Sequence, residues 1–268
     1  MTQGVSRVVP LLLGWQDLPR SYSVHGAEPS ARLREPVPGI LLETGAGWLL
    51  LDTGFNPALL RDPLFRRRYH GVSKPIVAEL PQGPGDPLED ALGRAGLAVD
   101  EIAVVAVSHL HNDHAGGLRH FAGREVPVHV QRRELEYGLH APHPGPERNG
   151  IFRVDFDDPA LRWSVADGDT EIAPGVTAVL TAGHTPGHQS FVVDLAGGGG
   201  FVFAFDAADL QENIDDELPP GGTIGVSPAE ALEPLLRLKA IAREKGYPLV
   251  PGHDPHQWPA LMERLGQG

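Results

Sequence analysis

VAVSHLHNDHAGG, Val105–Gly117, puts three histidines and an aspartate within six residues, directly after an apolar run. The apolar run reads as a strand ending near Ser108, and His109 and His111 lie two apart, which points them the same way on extended backbone. Asp113 and His114 follow once the chain has turned, with Ala115, Gly116 and Gly117 permitting tight backbone geometry. Two ligand pairs that diverge in direction suit two metal ions side by side. A single ion would be satisfied by three or four ligands in one shell.

A dinuclear centre needs more ligands than this loop carries, and other strand ends supply them. TAGHTPGHQS offers His184 after the apolar run Val176–Leu180, FVFAFDAAD offers Asp206, and PLVPGHDP offers His253. Each sits at the end of an apolar run, His184 and His253 in Gly/Pro-rich turns, from which a rigid sheet can aim a side chain. Alone, each reads as a structural histidine or a turn-capping carboxylate. The HxHxDH spacing lifts all three together.

The rest of the chain narrows the class. Its 268 residues carry a net charge of −13, against the basic surface that nucleic-acid binding relies on. Cysteine is absent, so metal ligands must be histidine and carboxylate. No apolar stretch approaches the ~20 residues of a membrane helix. The first residues lack a signal-peptide pattern, so a cytoplasmic location is expected.

Hydrophobic patterning gives a hairpin at Ile40–Glu43 and Trp48–Asp52, a helix from Leu88 to about Ala95, and the strand Ile102–Val107. Val126–Gln131 reads as a strand and Arg132–Leu139 as a helix. LRWSVA, GVTAVLTA, QSFVVDLA and FVFAFDA give four further strands. Ser227–Glu230 is a capping box opening a helix to Lys245, despite the internal Pro234; a short PLV strand and a helix at Pro259–Leu265 follow. This order suits helices packed outside two sheets rather than a doubly wound parallel sheet. No linker or repeat divides the chain, and residues 1–268 are expected to form one domain. The Pro/Gly-rich segment Tyr137–Asp158 is a candidate pocket wall.

SHLHNDHAGGL, HTPGHQSF, LLLDTG and the terminal GHD together resemble the metallo-β-lactamase fold superfamily, and within it most the N-acyl-homoserine lactonase group. The resemblance spans about Ile40 to Asp254. It implies an α/β fold, an αββα sandwich of two mixed β-sheets flanked by helices. It implies one ion held by His109, His111 and His184, a second held by Asp113, His114 and His253, and Asp206 bridging. Zn is the first choice, with Mn, Fe or Co also suited to a thiolate-free set. Asp206 stands where some metallo-β-lactamases carry Cys, and His111 where flavin-diiron reductases carry Glu, which sets both aside.

The implied activity is a hydrolase opening a lactone ester, an N-acyl-homoserine lactone or a relative, by attack of a hydroxide shared between the ions. Asp113 and Asp206 are its candidate proton carriers, and quorum quenching is the associated biology. Behind the ligands, Asp52 is a candidate orienter, His188 a structural support, and Asp254 an orienter of His253 or a turn cap. Trp15, Leu18, Phe152 and Phe156 are candidates for the acyl-chain wall. The lactonases carry a Tyr three residues after the bridging Asp; here that position is Asp209, which cannot donate a hydrogen bond when ionised. Tyr22, Tyr137 and His143 are the candidate substitutes. The partner is a small-molecule substrate, with no nucleic acid or membrane, and the look-alikes are often dimers. Alternatives are another ester, thioester or organophosphate hydrolase, a metal-dependent polyketide-type cyclase, and a metal-stabilised scaffold. Seven intact ligands argue against the scaffold.

Overall fold

The computed structural model describes residues 4–71, 76–140 and 149–265. Two mixed sheets face each other. The larger is ordered β4-β1-β2-β3-β5-β6-β7, from β1 (Arg7–Pro19), β2 (Arg32–Thr44), β3 (Gly47–Leu51), β4 (Val77–Glu79), β5 (Ile102–Ala106), β6 (Pro127–Gln131) and β7 (Arg162–Ala166). The smaller is ordered β12-β11-β10-β9-β8, from β8 (Thr170–Ala173), β9 (Val176–Leu180), β10 (Gln189–Asp194), β11 (Gly200–Phe205) and β12 (Leu249–Pro251).

Alternation along the strands builds three apolar layers. From β11, Phe201, Phe203 and Phe205 point between the sheets, against Ile40, Leu42, Leu49 and Leu51. Val202 and Ala204 point the other way, onto Leu235 and Leu238 of the helix Pro228–Lys245. On the far face of the larger sheet, Leu41, Leu50 and Val105 pack with Leu88 and Leu92 of the helix Pro87–Arg94. Each such side chain contributes roughly 1.5–3 kcal/mol by leaving water. The layers are therefore helix, sheet, sheet, helix.

Most sequence-expected elements fall within one or two residues of their observed bounds, the final helix starting slightly earlier at Gln257. Two differences bear on the site. The chain enters on a 13-residue strand, β1, whose first half shows no two-residue alternation because both its faces are buried, Val8 in one apolar cluster and Val9 and Leu11 in another; a bulge between Leu12 and Gly14 then leaves Leu13 as an extra residue. The bulge moves the inward face from Val9 and Leu11 to Gln16 and Leu18. The short β8 also escapes the patterning, since only Ala173 of its four residues is buried. No helix among the described residues is long and apolar enough to cross a membrane.

Candidate metal centre

The site lies where strands from both sheets end. Asp52 follows β3, His109 and His111 follow β5, His184 follows β9, Asp206 follows β11 and His253 follows β12. Asp113 and His114 sit on a one-turn helix, Asn112–Ala115. Two glycines behind it allow a close approach, since a Cβ on Gly116 would lie 2.1 Å from the Asn56 nitrogen and one on Gly117 2.5 Å from the Thr53 oxygen. Asp52 and Phe205 take left-handed backbone at φ 57° and 48°. For a Phe this is an uncommon, costly conformation, and here it sits one residue before Asp206.

Two groups of donor atoms converge. In one, His111 Nδ1 lies 2.8 Å from His109 Nε2 and 2.9 Å from His184 Nε2. Asp206 Oδ2 is 3.2 Å from His184 Nε2 and 3.6 Å from His109 Nε2. In the other, Asp206 Oδ1 is 3.1 Å from His253 Nε2 and 3.4 Å from His114 Nε2, while Asp113 Oδ2 is 3.4 Å from His114 Nε2. The two oxygens of Asp206 thus face different groups. His114 Nε2 is buried with no hydrogen-bond partner among the described residues. Converging lone pairs and an orphaned imidazole nitrogen in a dry site fit divalent cations better than hydrogen bonds alone.

Burial and neighbouring charge polarise the two groups differently. Burial, together with surrounding imidazoles, holds His109 and His184 well below the ordinary histidine range and lowers His111 too. These are neutral imidazoles, each with one nitrogen whose lone pair is free to bind a cation. Burial also disfavours a charged His114, but Asp113, Asp206 and Asp52 outweigh it and hold that imidazole well above its ordinary range. His253 is raised to about 10, with Asp206 overcoming the cost of burial. Reciprocally, and against their own burial, His114 and His253 keep Asp113 down at about 2 and Asp206 well below the usual carboxylate range.

Behind the donors, Asp52 Oδ2 lies 2.7 Å from His114 Nδ1, and the Asp52 carboxylate accepts from the Ser108 amide and hydroxyl. Ser108 Oγ also lies 2.9 Å from His109 Nδ1, and the Pro36 carbonyl 2.9 Å from His253 Nδ1. His188 is not among the converging donors. Its Nε2 accepts the Asp206 amide at 3.1 Å, and burial lowers its pKa to about 4. Asp254 caps instead of orienting His253, accepting from the His256, Gln257 and Gln211 amides.

Sequence reasoning passed over Glu134. It is buried in the helix Arg132–His140 and accepts from the Leu110 and Gly187 amides at 2.9 and 3.0 Å, tying together the two histidine-bearing loops. A Glu in an otherwise polar helix gives no signal of this. Glu35 was passed over for a similar reason: its polar stretch RLREP reads as exposed, yet the side chain is fully buried and bonded to Ser23.

A cavity of about 270 Å³ opens over the donors. His111, Asp113, His184, Asp206 and Asp209 meet it on one side, and Leu18, Phe55, Ile76 and Phe152 form an apolar wall. Two expected wall residues lie elsewhere. Trp15 is on the outer face of β1 under the Arg34 guanidinium, 4.1 Å away, and Phe156 is in the core beneath the sheet. Of the substitute donors, Tyr22 lines the cavity. Tyr137 does not, its hydroxyl accepting from Asn149 Nδ2 at 3.1 Å. His143 lies outside the described residues.

Comparison with known proteins matches this arrangement. N-acyl homoserine lactonase of Bacillus thuringiensis is 33% identical over 230 residues, 85% of each chain. AttM of Azorhizobium caulinodans, also an N-acyl homoserine lactonase, is 30% identical over 241 residues, 86% of each. Among solved structures, a point mutant of B. thuringiensis AiiA with N-decanoyl-L-homoserine at its active site superposes with a TM-score of 0.82, at 30% identity and 96% coverage of both chains. AidC, a dizinc quorum-quenching lactonase, shares the fold at 14% identity and a TM-score of 0.69, covering 94% of this chain and 89% of its own. Residues 34–253, which hold all seven converging side chains, match the Metallo-beta-lactamase superfamily, and the chain belongs to that family.

Proposed function

We propose that this chain is a dinuclear-metal lactonase that opens the ring of N-acyl homoserine lactones. The observation that carries the reading is the Asp206 carboxylate, whose two oxygens face two separate donor groups at the floor of a partly apolar cavity. Relatives of 30–33% identity over most of the chain, named for that activity, support the substrate class. His109, His111 and His184 would hold one ion and Asp113, His114 and His253 the other, with Asp206 between them. Zn is the favoured ion, supported by the imidazole-rich donor set and by the dizinc relative.

Two divalent ions held side by side supply a nucleophile at neutral pH and Lewis-acid polarisation of a carbonyl. The residues do the rest. The apolar wall of Leu18, Phe55, Ile76 and Phe152 receives the acyl chain and excludes water, and the histidine and aspartate cluster forms the floor against which the lactone ring lies. Asp206 and Asp113 stand beside the scissile bond and pass the proton to the leaving ring oxygen. Tyr22, on the cavity wall, is the donor available to the substrate carbonyl in place of a Tyr at position 209. Bilayers and nucleic acids have no part in this reading. It takes the chain as one domain, a cytoplasmic enzyme and a homodimer, the last resting on resemblance alone.

The test is metal-loaded enzyme offered short- and long-chain N-acyl homoserine lactones, with acid release followed by a pH indicator. Turnover is expected. Inertness toward every lactone, with cleavage of an aryl ester or thioester, would replace the substrate class while keeping the hydrolase.

A further inference from the structure

Asp209 is 5% exposed, lines the cavity, and its Oδ1 has no hydrogen-bond partner among the described residues. Its nearest charged neighbours include two more carboxyls, Asp206 and Glu35. Glu35 is pushed by burial to about 7, and its oxygens are engaged by Ser23 and, at 3.5 Å, by Gln16 Nε2. Asp209 has no such engagement among the described residues. A buried carboxyl among carboxyls is costly unless a cation or a proton resolves it.

The geometry favours the cation. One donor atom from each of Asp206, Asp209 and His253 lies within 4.8 Å of the others, the same closeness that joins Asp113, His114 and His253. The backbone holds Asp209 there, since its carbonyl accepts the His253 amide at 2.8 Å. We propose that Asp209 is a further ligand of the ion shared by Asp113, His114 and His253, making that position richer in carboxylate than its neighbour. The inference rests on the two-ion reading above. The imidazole position then has three histidines and one carboxylate oxygen; the carboxylate position has two histidines and three carboxylates. Imidazole suits Zn, whereas carboxylate suits harder ions such as Mn²⁺. Zn²⁺ still binds more tightly than Mn²⁺ at both, but its advantage is smaller at the carboxylate position.

The test is made on full-length, metal-stripped protein equilibrated with Zn²⁺ and Mn²⁺, separately and together. Bound metal is counted by mass spectrometry, and Mn²⁺ affinity is read by electron paramagnetic resonance. Wild type is expected to hold two ions per chain. Asp209→Asn is expected to weaken Mn²⁺ at least tenfold and Zn²⁺ less, while Asp209→Glu restores part of the Mn²⁺ affinity. Asp209→Ser serves should the amide not fold, as judged by circular dichroism. Glu35→Gln is the control for charge alone and should change Mn²⁺ affinity less than about threefold. Unchanged Mn²⁺ affinity in Asp209→Asn, or equal weakening in Glu35→Gln, overturns the assignment. Fewer than two ions in wild type would instead sink the two-ion reading itself.

Discussion

The two halves of the centre share Asp206 but are built on opposite principles. In the imidazole half, burial strips protons from His109 and His184, and His184 Nδ1 has no partner among the described residues. In the carboxylate half, His114 and His253 are held in their charged forms by Asp113, Asp206 and Asp52, and each Nδ1 has a fixed partner behind it. One half is ready for a metal by desolvation, the other by salt bridges that a metal would replace. Burial by itself does not decide the charge of a group; the neighbours at ~4 Å do.

The harshest way to break this contrast is to remove what the halves share. Asp206→Asn takes a charge from both and should lower kcat/KM by about 10²–10³-fold, the scale for losing one electrostatic element from an active site. Steady-state kinetics with metal counting checks it; near-wild-type turnover with both ions in place would void the bridging role. Asp52→Asn tests the supported half alone. It leaves the ligands in place but withdraws the charge behind His114, and should weaken one of the two ions by about 10–100-fold while sparing the other. Equal loss of both in calorimetric titration would mean the halves are not separable.

The smallest effect sharpens the lesson away from the metals. Asp155 is as buried as Asp206, but among the described residues only Asn56 hydrogen-bonds its carboxyl, with Arg119 a weaker help, and burial pushes that carboxyl up to about 7. The native state therefore holds this proton more tightly than the unfolded chain. Stability falls as pH rises from near 3.8 to about 7 and then levels. Asp155→Asn removes that loss. The shift converts to ~4 kcal/mol as a ceiling, and relaxation of the surroundings brings the expected gain to about 1–2 kcal/mol above pH 7. Urea midpoints at pH 5 and pH 8 report it; an equal effect at both would show that Asp155 is not charged at the higher pH.

The converging donors beyond the HxHxDH loop were legible because each closes an apolar run, with Gly and Pro flanking His184 and His253. His184, Asp206 and His253 could be picked out for that reason, though 22 or more residues separate each from the next. Other elements carry no such mark. The first half of β1 is buried on both faces and shows no alternation, and the bulge then shifts its register, so the strand that brings Gln16 and Leu18 to the cavity has no period-two mark. Glu134 and Glu35 read as solvated because nothing local says that another loop or strand will cover them. Trp15 and Phe156 were misplaced for the same reason, an apolar side chain fitting a core, a pocket or an outer face equally well.

By itself the sequence determined the donor set, its nitrogen and oxygen chemistry, and the two-sheet fold, because spacing along a strand fixes direction and composition fixes ligand type. Tertiary structure alone decided which oxygen of Asp206 faces which group, which histidines are neutral, and that Asp209 and Glu35, 174 positions apart, line one cavity. Those properties depend on distances and burial, which arise only when strand ends from two different sheets meet.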